Sequence, residues 1–213
     1  MVDVTAQVSA SLDALTREFD VIAHNLANAD TAGFKRRCNV FSQMLDSQMG
    51  NQDGGETNPV PQGAIDFSQG HLVQTDRSLD LALHGDGFFV IETPDGPLYT
   101  RHGIFQTNQN GQLVDTVGRV VAGVAGPISL PANVDPSAVQ IAADGRIMGG
   151  GAVIGQLRVV EFPDATNLLV PVGQNCFRAP KDVEPVDSDR PVIRQGYQEA
   201  SNVKLVDELV NMI

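Results

Sequence analysis

Val8, Leu12, Leu15, Phe19, Ile22 and Leu26 recur at spacings of 4, 3, 4, 3 and 4 along the first part of the chain. That rhythm is the a/d stripe of a heptad repeat, and no Pro or Gly interrupts it before Gly33. Asp13, Arg17, Glu18 and Asp20 fall on the flanking positions as a solvated face would. The pattern predicts an N-terminal helix of ~25 residues, ending in the polar run Asn28 to Thr31 and then Gly33, which accepts a positive φ. Two readings fit the stripe: packing on the domain's own core, or a helix–helix seam. Its narrowness and regularity favour the seam.

From Asn51 to Gly63 the apolar period disappears into loop chemistry. Beyond it, Asp-Gly or Asn-Gly pairs stand at 86–87, 95–96, 110–111 and 144–145, with a further pair earlier at 53–54. They lie near short apolar and β-branched runs such as Phe88 to Ile91, Val120-Val121 and Val159-Val160. These dipeptides supply the positive φ angles of tight hairpins, so the middle of the chain is expected to be antiparallel β. Residues 180–195 are acidic and Pro-bearing and read as an extended connector. Ala200-Ser201-Asn202 then offers cap chemistry before Val203, Val206, Val210 and Ile213, spaced 3, 4 and 3, which predict a second helix.

The fold class is therefore mainly β with terminal α-helices: a β-rich central domain between N- and C-terminal helices, which the seam reading makes a coiled-coil assembly module. The expected organisation is an N-terminal helical assembly segment at 1–42, a linker with strands at 43–82, a β-rich domain at 83–179, a connector at 180–197 and the start of a C-terminal assembly helix at 198–213. The candidate seam comprises Val8, Leu12, Leu15, Phe19, Ile22 and Leu26 together with Val203, Val206, Val210 and Ile213.

Composition narrows the functions available. Apolar residues make up 42% and charged residues 19%, a globular balance. Fourteen Lys+Arg against 26 Asp+Glu leave a net charge of −12, which disfavours nonspecific binding to nucleic acid or an anionic membrane. No stretch approaches the ~20 apolar residues that span a bilayer, and the first ten residues lack the basic start of a secretory signal. Cys38 and Cys176 are too few for a zinc site or a disulfide framework and read as unpaired structural thiols, with one long-range disulfide as the alternative.

The sequence carries no nucleophile elbow, zinc-helix, Walker or dinucleotide motif. The four histidines are scattered, and His84 beside Asp86 reads as a strand-end residue near a turn. Asp76, Asp80 and Asp86 lack the spacing of a calcium loop, and Gly149 to Gly151 precede no phosphate-binding Lys or helix. Lys35-Arg36-Arg37 reads as a solvated helix flank or subunit contact, with a polyanion contact as the sharper alternative. Neither catalytic residues nor a cofactor or metal is expected.

Several blocks carry a resemblance. Asn25-Leu26-Ala27-Asn28, followed by Thr31-Ala32-Gly33-Phe34-Lys35, resembles the N-terminal signature of bacterial flagellar rod and hook proteins. Gly70 to Thr75, then Leu79-Asp80-Leu81-Ala82 with Gly85, Gly87, Phe88 and Phe89, then Tyr99-Thr100-Arg101 with Gly103 and Phe105, are similar to successive blocks of that family. Glu199-Ala200-Ser201-Asn202-Val203 resembles its C-terminal block. The blocks occur in order over nearly the whole chain, and the short span from Phe34 to Gly70 looks more like a rod than a hook protein.

The resemblance implies a structural subunit of the flagellar rod, exported without a cleaved signal through the flagellar type III apparatus. It implies helical assembly with copies of itself and neighbouring rod and hook proteins in a shaft that crosses the periplasm and transmits torque, with no nucleic-acid partner and no membrane insertion. Family members continue the second helix for ~20 residues past Ile213, by matching heptads to the first stripe. The competing expectation is a secreted β-rich module binding cell wall or glycan, with the helices as anchors. The absence of Trp and a Tyr count of 2 weigh against its aromatic groove.

Overall fold

The computed structural model describes residues 4–38, 64–163 and 165–212. It is mainly β with an α-helix near each end. Ile213 and the Asp-Gly pair at 53–54 lie outside the described residues, as does most of the stretch between Phe34 and Gly70. The chain divides into two compact units. One draws on Met1–Asp30, Lys35–Ser68 and Asn202–Ile213, the other on Thr31–Phe34 and Gln69–Ser201.

The first unit is built on α1, Val4–Ala27, with α2, Leu205–Asn211, and a two-stranded pairing of Arg37–Cys38 with Ala64–Ile65. Helix α1 stops where Asn28 turns its side-chain amide back onto the His24 carbonyl at 2.8 Å, local hydrogen bonding that competes with further helix. Helix α2 begins later than the sequence suggests. Its N-cap is Lys204, with no side-chain cap, and Ser201 and Asn202 precede the helix in extended chain. Asn202 does not cap because its carboxamide is engaged by Arg36, Asp66 and Ser68.

The second unit holds the β structure. Among the described residues its largest sheet has ten strands, seven of them in a path from Val170–Gly173 through Cys176–Arg178, Leu98–Thr100, Phe88–Glu92, Val120–Gly123 and Leu113–Val114 to Gln106–Thr107, with Gly126–Pro127, Val159–Glu161 and Val186–Asp187 paired off that path. Phe88–Glu92 is central, with Val90 opposite Tyr99 and Ile91 opposite Val121 in antiparallel register. Phe88 to Ile91 are buried on both faces, with only Glu92 exposed at the strand end, and the two phenylalanines take opposite sides. Phe89 packs edge-on against Phe105 with ring centres 5.2 Å apart, whereas Phe88 meets Phe162 at 5.8 Å and Phe177 at 6.2 Å. Leu81, Leu83, Ile91, Leu113, Val121 and Leu157 complete the core around Phe89.

Asp95-Gly96, Asn110-Gly111 and Asp144-Gly145 turn hairpins as the pattern predicts, with positive φ at each glycine. Asp86-Gly87 does not: Gly87 also has positive φ, but Leu81–Leu83 before it pairs with Ile193–Gln195 and not with Phe88–Glu92 after it. Gly150 and Gly151 turn the hairpin between Arg146–Gly149 and Ala152–Gln156. The stretch read as a connector is more than that. Ile193–Gln195 pairs with Leu81–Leu83, and Tyr197–Glu199 with Leu72–Gln74, because Ile193 has a place in the core that its acidic, Pro-bearing surroundings do not advertise.

Candidate functional site

The blocks that carry the family resemblance converge on two polar junctions, one inside each unit. In the first unit Asn25 lies at the end of α1 and is fully buried. Its carboxamide oxygen accepts the Arg37 N–H at 2.8 Å, and its Nδ2 donates to the Arg37 carbonyl at 2.8 Å and to Glu208 Oε2 at 3.3 Å. A side-chain amide meeting both backbone groups of one residue does the work of a strand partner, so the chain leaving α1 is bound back against it.

Glu208, on α2, is likewise fully buried and is ion-paired to Arg36 through a short hydrogen bond from the guanidinium. Burial opposes the charge of Arg36, but the hydrogen bond and charge of Glu208 outweigh it and raise the guanidinium above its ordinary value. Asn202 accepts the Arg36 N–H at 2.7 Å and donates to the Asp66 carbonyl at 2.8 Å. Lys35, almost fully buried, donates to the Ser68 carbonyl at 2.7 Å. The basic run 35–37 is therefore neither a solvated helix flank nor a polyanion patch. It lies beyond the helix: the Lys35 and Arg36 side chains and the Arg36 and Arg37 backbone are spent on internal partners.

In the second unit the junction surrounds Glu199, which is 1% exposed. Its Oε1 accepts the Gly70 N–H at 3.0 Å, its backbone carbonyl accepts the Gly33 N–H at 2.7 Å, and Arg101 stands 3.7 Å from its Oε2. Arg101 also donates to the Gly85 carbonyl at 2.7 Å and lies over the Phe88 ring. Burial lowers the Arg101 value, with Glu199 as the largest opposing influence. Asp80, fully buried, accepts Thr75 Oγ1 at 2.8 Å and Gln198 Nε2 at 2.6 Å. Gly87, at φ 118, leads directly into Phe88.

The motif residues Asn25, Gly33, Phe34, Phe88, Phe89, Ser201 and Val203 are all buried, while Leu26, Asn28, Thr31 and Asn202 are half-buried. Sequence reasoning missed Arg36, Arg101, Glu199 and Glu208 as partners. No local signal separates buried Glu208 from Asp207 beside it, which has the same apolar neighbours and is exposed.

The candidate seam splits. Val8, Leu12, Leu15 and Phe19 are each more than half exposed, Ile22 is buried and Leu26 half-buried. Val203 is buried just ahead of α2, whereas Val206 and Val210 are 71% and 64% exposed on it. Both cysteines are free, Cys38 half-buried and Cys176 buried. Among the described residues no helix is long and apolar enough to cross a membrane, and no group of three or more His, Cys, Asp or Glu is placed to hold a metal ion.

Comparison with known proteins agrees with this distribution of motifs. Residues 7–35 match the family described as flagella basal body rod protein, 82–149 the flagellar hook protein FlgE/F/G D1 domain, and 194–213 the flagellar basal body rod FlgEFG protein C-terminal region. The flagellar basal-body rod protein FlgG of Buchnera aphidicola subsp. Schizaphis graminum is 37% identical over 232 residues, covering 95% of this chain and 86% of that protein. The rod protein FlgF of Caulobacter vibrioides is 33% identical, covering 93% and 82%, and FlgG of Bacillus subtilis is 33% identical, covering 92% and 83%. The chain belongs to the flagellar basal-body rod protein family.

Proposed function

We infer that this chain is a structural subunit of the bacterial flagellar rod, and that it works by self-association rather than by catalysis. The observation that carries the mode of action is the exposed row Val8, Leu12, Leu15 and Phe19 on α1, a helix whose other end is fixed by the buried carboxamide of Asn25. Leaving such side chains in water forfeits roughly 1.5–3 kcal/mol each relative to full burial, a standing drive to cover them. Copies of the chain and neighbouring rod or hook subunits supply that cover, pairing terminal helices in a coiled-coil layer with the β unit outside it.

Helices in proteins draw most of their stability from packing of the apolar face, so α1 is weakly held while that face is uncovered, which also suits export as an unfolded chain through the flagellar type III apparatus with no cleaved signal. The assembled rod then spans the periplasm and carries torque. The glycan-binding alternative has no comparable support once family membership is established.

The test is fractionation of basal bodies from a strain carrying the tagged chain. It should copurify with the rod after detergent and high-salt washes and be lost from strains lacking the export apparatus. Recovery only in the soluble periplasm, or bound to isolated cell wall, would reject the reading.

A further inference from the structure

Helix α2 packs against α1 with a carboxylate inward and its apolar side chains outward. Glu208 is fully buried, whereas Leu205, Leu209 and Met212 are 43–46% exposed. At 100° per residue, Leu205 and Leu209 lie about 60° and about 100° around the helix from Glu208. A rotation of that size about its own axis would bury the leucines and return Glu208 to water. Hydrophobic burial alone favours that second arrangement. What opposes it is polar and specific: Arg36 and Asn25 both reach Glu208, and Asn25 is in turn held by both backbone groups of Arg37.

We propose that the pairing of buried Glu208 with half-buried Arg36, braced by Asn25, sets the rotational register of the C-terminal helix against the N-terminal one. Glu208 acts as a positioning residue rather than as a source of stability. A buried ion pair is a poor stabiliser compared with a well-packed apolar pair, but it penalises every arrangement that leaves one partner buried alone. Single polar residues at helix seams fix register in the same manner. The consequence for assembly, that Val206 and Val210 are the face presented to another subunit, rests on the rod reading. The register itself does not.

The experiment is amide NMR on the dilute full chain, which reports register whether or not the protein polymerises. Wild type should give one set of resonances for Leu205 to Asn211. The variant R36M/E208L extends the apolar face of α2 from position 208 through Leu205 and Leu209 to Val206 and Val210, leaving Asp207 and Asn211 as the polar side, and should melt at the wild-type temperature or above. It should nevertheless show two or more sets of α2 resonances, or exchange-broadened ones, while Phe88 to Ile91 keep a single set. Adding L209S removes the competing face and should return α2 to one set. A single α2 set in R36M/E208L overturns the proposal. So does loss of the helix in that variant, since the pair would then hold the helix on rather than choose how it sits, and so does heterogeneity that L209S leaves unchanged.

Discussion

A Cβ placed on Gly33 would lie 2.6 Å from the amide nitrogen of His102, closer than β-carbons come to backbone atoms. Gly33 also has φ 67, where an L side chain is strained, and its N–H is committed to the Glu199 carbonyl. Gly85 makes the informative contrast, for it has φ 89 but open space around its α-carbon. G85A should therefore cost only the left-handed penalty, about 1–2 kcal/mol. G33A should cost clearly more, because a backbone segment must move as well. Urea midpoints of the two variants give the comparison, and equal losses would show that contact with His102 is not limiting.

Much of this was legible beforehand. The 4-3-4-3-4 spacing from Val8 to Leu26 names α1 because helical periodicity is local, and Asp95-Gly96 names its hairpin because turn chemistry is local too. The positions of Gly33, Asn25 and Asn202 in motif blocks marked them as special without saying why. Their reasons are non-local: Glu208 meets Arg36 across 172 positions, and the Gly33 amide is received by Glu199. A carboxylate in Leu-Val-Asp-Glu-Leu-Val reads as solvated face, since nothing nearby reveals the guanidinium that makes its burial tolerable. The late start of α2 follows from the same blindness, because Asn202 looks like a cap until its distant partners are known.

Asn25 offers a direct measure of the first junction. N25A removes three hydrogen bonds and leaves the N–H and carbonyl of Arg37 without their side-chain partner. Stranding such groups costs about 1–3 kcal/mol. Amide exchange should accelerate at the end of α1 and through Arg37 and Cys38, while the amides of Phe88 to Ile91 keep wild-type protection. Unchanged exchange at Arg37 would mean that the carboxamide is a passive filler.

Stability of the β unit should weaken in mild acid through His102. Burial lowers its value below the ordinary 6.5, with Asp115 and Asp80 only partly opposing. The unfolded chain then binds the proton more readily than the folded one, so stability is full above 6.5 and declines as pH falls through it toward the lowered folded value. H102Q removes that contribution. Between about pH 7.5 and about pH 5.5 the melting temperature of wild type should fall more steeply than that of the variant. Parallel curves would show that His102 titrates alike in both states.

Leu15 sits in the middle of the exposed row on α1 and is itself 54% exposed. In the isolated chain its replacement touches little, so L15D should change monomer stability by no more than about 0.5 kcal/mol. In an assembly the same carboxylate would have to be buried in an apolar seam without a partner, which protein interiors avoid by not forming the contact. Sedimentation velocity over a wide concentration range should show wild type associating and L15D remaining monomeric, with β-unit amide protection equal in the two. A control at Thr16, whose hydroxyl already bonds the Leu12 carbonyl within the helix, should leave association intact when changed to Ser. If L15D associates like wild type, the seam does not run along Val8, Leu12, Leu15 and Phe19. If dilute wild-type monomer strongly protects the amides from Leu12 to Phe19, ahead of the end that Ile22 and Asn25 already anchor, then α1 needs no partner to be stable, and the drive to assemble must come from elsewhere.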